Sequence, residues 1–130
     1  MKLIFTALLI SCSILLINGC QDAAQNDYLR HIVVFKYKPT ATQEQISEVN
    51  REFGKLKDRI PGIIDFEYGV NDSPEGLDQG FTHVYLLTFE SPEARDTYLP
   101  HPRHAEFGEF LGGMDILEEV FVVDYVPQKP

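Results

Sequence analysis

Apolar and polar residues alternate along residues 28–38. His31, Val33, Phe35 and Tyr37 share one face; Arg30, Ile32, Val34, Lys36 and Lys38 share the other. A period of two with β-branched and aromatic side chains predicts a strand, and Pro39 ends it. After Thr42 the period lengthens. Ile46, Val49, Phe53, Leu56 and Ile60 recur at intervals of three and four, the apolar stripe of one amphipathic helix. Thr42 and Gln45 have capping-box spacing, and Pro61-Gly62 closes the helix. Residues 63–70 read as a second strand, 71–80 as a turn-rich loop, and 81–90 as a third, alternating strand. Ser91-Pro92 starts a helix that reaches Leu99. A second helical piece runs from Pro102 to about Leu111, where Gly112-Gly113 is expected to break it. Residues 115–126 form the last strand, strongest over Val120-Phe121-Val122-Val123.

The predicted order is β-α-β-β-α-β with the second helix broken in two. It implies an α+β, ferredoxin-like fold with a four-stranded antiparallel sheet. Helices cover one face of such a sheet. The other face still carries Ile32, Val34, Val84 and Leu86 and needs cover of its own. A second copy of the chain is the simplest cover, so a homodimer through the sheet face is expected.

The start of the chain has another character. Lys2 precedes an apolar run over residues 3–17, shorter than the ~20 residues of a membrane span, then Asn18-Gly19-Cys20. The run reads as a secretory signal, and Ile17-Asn18-Gly19-Cys20 resembles the lipobox of bacterial lipoproteins. The expected organisation is a signal peptide (1–19), a lipidated tether (20–27) beginning at Cys20, a barrel domain (28–127) and a tail (128–130). Cys12 would leave with the signal, so Cys20 would be the sole cysteine and no internal disulfide could form. The expected location is the cell envelope, periplasmic or outer surface, with membrane contact only through the lipid. The formal charge is −9, and −10 once Lys2 is removed. An acidic domain excludes electrostatic binding to nucleic acid as a leading function.

Candidate chemistry concentrates in Tyr98-Leu99-Pro100-His101-Pro102-Arg103-His104. The prolines end one helix and start the next, with His101 as cap and His104 in the first turn. A directed imidazole beside a phenol suits acid–base work near pH 7. The same residues would also make an ordinary helix corner. His31 and His83 each begin an alternating face and read equally as buried structural histidines or as ligand contacts. No metal-ligand spacing is present, and neither metal nor cofactor is expected.

Several of these stretches resemble the stress-responsive A/B barrel (Dabb) domains. They are Leu29-Arg30-His31-Ile32-Val33-Val34-Phe35-Lys36, Gly80-Phe81-Thr82-His83, Phe89-Glu90-Ser91 through His104, and Asp124-Tyr125. The resemblance implies a ferredoxin-like unit that pairs into a dimeric α+β barrel. It also implies a chemistry, since some plant members are cofactor-independent polyketide cyclases that close rings by aldol condensation. On that resemblance Tyr98 and His104 take the catalytic roles, and His31, His83 and His101 line the substrate cavity. Three functions stay open at this point. They are a small-molecule-binding or stress-response barrel of the envelope, a cyclase or lyase of carbonyl substrates, and a monooxygenase-like α+β barrel enzyme.

Overall fold

A computed structural model describes residues 28–130, so the expected signal peptide and the expected lipidation at Cys20 lie outside the described residues. The elements are β1 (Leu29–Tyr37), α1 (Gln43–Gly54), α2 (Leu56–Arg59), β2 (Ile63–Val70), β3 (His83–Phe89), α3 (Pro92–Tyr98), α4 (Pro102–Met114) and β4 (Leu117–Tyr125). The sheet is antiparallel in the order β2-β3-β1-β4. This is the ferredoxin-like arrangement the patterning implies.

Register follows the alternation. On β1 the side chains of Leu29, His31, Val33 and Phe35 are buried on the helix side. Tyr85, Leu87 and Phe89 join them from β3, and Val49, Phe53, Leu56 and Ile60 close the core from above. The central strands are fully committed to this layer: Tyr85, Leu87 and Phe89 have no exposed surface.

Two helices differ from the sequence expectation. The stripe ending at Ile60 is split at Lys55. There Asp58 N donates to Lys55 O at 3.3 Å, an i+3 bond that tightens one turn and separates α1 from α2. Both pieces still bury their apolar residues. The capping box forms as expected: Gln45 N donates to Thr42 Oγ1 at 3.2 Å, and Thr42 N donates to Gln45 Oε1 at 2.9 Å. In the other case Gly112-Gly113 does not end α4. Glycine in a helix interior costs about 1 kcal/mol relative to alanine, a price that does not by itself break a helix. The stop comes at Asp115, whose φ of 51° turns the chain left-handed.

Among the described residues, no helix covers the sheet's outer face. Phe121 and Val123 of β4 and Val84 of β3 remain exposed there. The 71–82 segment folds against one end of this face, where Val34, Leu77, Phe81, Val84 and Phe121 line a recess of about 320 Å³. Among the described residues, no helix is long and apolar enough to cross a membrane.

Candidate active site

The corner between α3 and α4 is built as its sequence dictates. Ser91 caps α3, accepting from Ala94 N at 3.2 Å, with Pro92 in the first turn. His101 caps α4: its Nδ1 accepts from Arg103 N at 3.1 Å. That bond occupies His101 in the corner, and it does not line the cavity described below.

One turn on, His104 Nδ1 donates to the Leu99 carbonyl at 2.9 Å. With the proton held on Nδ1, the lone pair of a neutral His104 is on Nε2. The ring lies 4.3 Å, centroid to centroid, from that of Tyr98. Tyr98 is 1% exposed and packs against Phe89 and His31. Burial, aided by the nearby Asp124 carboxylate, pushes its phenol far above the usual range, so it stays protonated and can donate.

His31 enters from the sheet. It lies opposite Asp124 in the β1–β4 register, and its Nδ1 donates to Asp124 Oδ1 at 2.6 Å. The second Asp124 oxygen accepts from Arg95 Nη1 of α3. Burial drives the His31 imidazole down, while Asp124 pulls it up through the hydrogen bond and its charge; burial is the larger effect and the net direction is down.

The sign of this shift carries a prediction. A histidine depressed in the folded state is protonated first in the unfolded chain. Stability is therefore full above about pH 6.5, the unfolded value, and is lost as pH falls through the folded one. Thermal melts across this range should show a steeper loss in the wild type than in His31→Gln. The two slopes should differ by up to about 1.4 kcal/mol per pH unit, the effect of one proton. Parallel slopes would remove His31 as the responsible group.

His31, Tyr98 and His104 meet at one cavity of about 250 Å³ between sheet and helices. Phe35, Phe53, Phe107 and Val122 are among its apolar lining, and among the described residues no lysine or arginine lines it. The recesses on the outer face are larger, about 320 and 340 Å³, yet neither holds a histidine. Chemistry, not volume, singles out the inner cavity. His83 stands apart from it. Its strand position pairs with Phe35, not with His31, its ring packs edge-on to Tyr37 at 4.9 Å, and its Nδ1 shares a hydrogen bond with Thr82 Oγ1 at 2.9 Å. Tyr85 donates to Asn50 Oδ1 at 2.6 Å and takes a bond from Tyr37 at 2.9 Å, so these two phenols hold the core together. Among the described residues, no group of three or more His, Cys, Asp or Glu is placed to hold a metal ion.

Sequence reasoning missed two members of the site, Asp124 and Arg95. Asp124 had a local signal, a lone carboxylate at the end of the apolar Val120–Val123 run and on the face of Val122. Its partner depends on register between the first and last strands, which local sequence does not state. Arg95 precedes Tyr98 by three residues and so shares its helix face.

The family model for the "Stress responsive A/B Barrel Domain" (Dabb) matches residues 29–127. The chain belongs to the Dabb family. Its Dabb relatives include the stress-response A/B barrel domain-containing protein HS1 of Arabidopsis thaliana. The two are 37% identical over 76% of this chain and 89% of the relative. Olivetolic acid cyclase of Cannabis sativa is 31% identical over 78% of this chain and 98% of its own. Among solved structures, hydroxynitrile lyase from Passiflora edulis superimposes with a TM-score of 0.73 at 27% identity, covering 81% of this chain and 97% of that one. A dimeric ferredoxin-like protein of unknown function from Jannaschia sp. gives 0.64 at 26% identity, over 75% and 97%. The Dabb match runs from β1 through β4, so it contains every residue of the cavity.

Proposed function

We propose that this Dabb domain takes a small neutral carbonyl compound into the inner cavity and performs acid–base chemistry on it without a cofactor, as a cyclase or lyase. The observation that carries the reading is the convergence of Tyr98, His104 and His31 on one partly open apolar cavity. A volume of about 250 Å³ lies just below the usual range for ligand pockets, roughly 300–1,000 Å³, which favours a compact ligand. The absence of a lining cation favours an uncharged one.

In this reading His104 Nε2 removes a proton from the carbon next to the carbonyl, and the C–H electron pair becomes an enolate. The Tyr98 hydroxyl donates to the enolate oxygen and stabilises the charge that forms there. The enolate carbon then attacks a second carbonyl, and the imidazolium returns its proton to the new alkoxide. The reverse sequence breaks a carbon–carbon bond. Relatives named as a cyclase and a lyase support both directions.

The test is proton–deuterium exchange next to the carbonyl of small neutral aldehydes and ketones, followed by NMR in D2O. The wild type should accelerate exchange, and His104→Gln should not. Exchange at the buffer rate across the whole panel would sink the proposal.

Two further features belong to the same reading. A second copy covers the outer sheet face, supported by its exposed Phe121 and Val123 and by the dimeric Jannaschia protein. Phe121→Glu should convert a dimer to a monomer in light scattering, and an unchanged mass would refute this interface. A lipid on Cys20 holds the domain at the envelope, supported by the apolar run over residues 3–17 and the Asn18-Gly19-Cys20 that follows it. Cys20→Ser should move the protein from the membrane to the soluble fraction. Unchanged membrane association would dismiss the anchor.

A further inference from the structure

Asp124 poses a problem for the site. A carboxylate within hydrogen-bonding distance of an imidazole orients it, but it also favours the imidazolium. A charged His31 would have no lone pair and could not accept a proton from a ligand. The structure contains a second group that acts on the same carboxylate.

Arg95 lies on α3, where its backbone N–H donates to the carbonyl of the cap Ser91 at 3.3 Å. Its side chain is 21% exposed and reaches the sheet, giving Nη1 to Asp124 Oδ2. Its Nε donates to Asp96 Oδ1 at 2.8 Å, so both arms of the guanidinium are held. Asp124 then has one oxygen on each partner: Oδ1 on His31 and Oδ2 on Arg95. A guanidinium is cationic at any working pH. Arg95, though shared with Asp96, therefore offsets part of the Asp124 charge without a proton from His31.

We propose that Arg95 is a positioning residue that lets Asp124 orient His31 without charging it. The Arg95–Asp124–His31 chain holds the His31 proton on Nδ1 and leaves Nε2 as the only ring nitrogen free to meet a ligand. The groups facing His31 from its neighbours are Asp124 on β4, Arg95 and Tyr98 on α3, and His104 on α4. Of these only Asp124 favours the cation; burial opposes it most, and His104 and then Arg95 add to that opposition.

The same turn of α3 sets the other imidazole. Leu99, four residues after Arg95, supplies the carbonyl that fixes His104 Nδ1. Arg95, Tyr98 and Leu99 thus control two tautomers and supply the phenol from a single helical turn. With both Nδ1 atoms bonded, Nε2 of each imidazole is the ring nitrogen left for a ligand.

The use assigned to His31 rests on the acid–base reading of the cavity, but its protonation can be read without any substrate. Ring-nitrogen NMR titrations of the full domain should show wild-type His31 protonated on Nδ1 and titrating below about 6.5. Arg95→Leu and Arg95→Gln should each raise its midpoint, because less of the Asp124 charge is balanced. Arg95→Lys should restore most of the wild-type midpoint. Asp124→Asn should release the tautomer, giving a mixture of Nδ1 and Nε2 forms. An unmoved His31 midpoint in Arg95→Gln, with amide spectra showing an intact fold, would overturn the proposal. So would a wild-type His31 protonated on Nε2. These outcomes stand apart from the carbonyl assay, which can fail while the titrations succeed.

Discussion

Tyr98→Phe leaves the domain folded and cuts the proposed exchange reaction by about 10²–10³-fold, the usual effect of losing one preorganised donor to a developing oxyanion. The aromatic ring is the structural part of this residue. It packs on Phe89 at 5.0 Å and on His104 at 4.3 Å, and phenylalanine preserves both contacts. The hydroxyl is buried near the Asp124 carboxylate, and no hydrogen bond joins it to another of the described side chains. Removing it therefore leaves no buried partner unsatisfied, and the melting temperature should move by less than the effect of about 1 kcal/mol. The check is paired: thermal melts and NMR exchange on the same samples. A fall in both would mark Tyr98 as a packing residue and weaken the acid–base reading. Unchanged exchange with an unchanged melt would exclude the phenol from the chemistry.

Phe53→Ala has the largest expected effect on stability, a loss of about 3–5 kcal/mol. Phe53 is 2% exposed and ties the helix layer to the sheet through Tyr85 at 5.1 Å, Phe66 at 5.3 Å and Phe107 at 4.5 Å. Truncation opens a void bounded by rings that are themselves fixed, so little of it can collapse. Native domains are stable by only about 5–15 kcal/mol, so the variant should be partly unfolded well below the wild-type midpoint in urea. Phe53 also lines the cavity. Phe53→Leu, a smaller change, should keep the fold while admitting bulkier carbonyl compounds to binding. A urea midpoint for Phe53→Ala close to the wild type would show that this ring cluster is not the keystone of the core.

The residues that carried the fold in the sequence are those whose signal is local. Alternation from Leu29 to Tyr37 states both the strand and its buried face, because a period of two has one structural meaning. The prolines flanking His101 state the corner because they forbid helix through it and favour a new start. Tyr98 and His104 follow, since their meeting depends on that corner alone. Other features are not local. His31 and Asp124 meet through strand register, and Arg95 joins them through the packing of α3 on the sheet. His83 shares His31's face by periodicity, yet four residues of strand, about 13 Å, separate their places. A shared face was legible; a shared site was not. Gly112 and Gly113 show the limit of residue preference. Their cost is small, and the left-handed turn at Asp115 decides where the helix ends.

The His31–Asp124 bond joins residues 93 positions apart, on the first and last strands. The Tyr98–His104 corner is the opposite, a contact across six residues. The two halves of the site therefore have very different contact orders. The corner can form as soon as α3 and α4 exist, while the carboxylate arrives only when β4 docks beside β1. During synthesis the chain emerges from its amino end, so β1 must wait with an open edge for nearly the whole domain. Only the last strand closes that edge, and it brings Asp124 with it. Completion of the sheet and completion of the site are thus one event, and a chain cut short before β4 has the corner without its Asp124 partner.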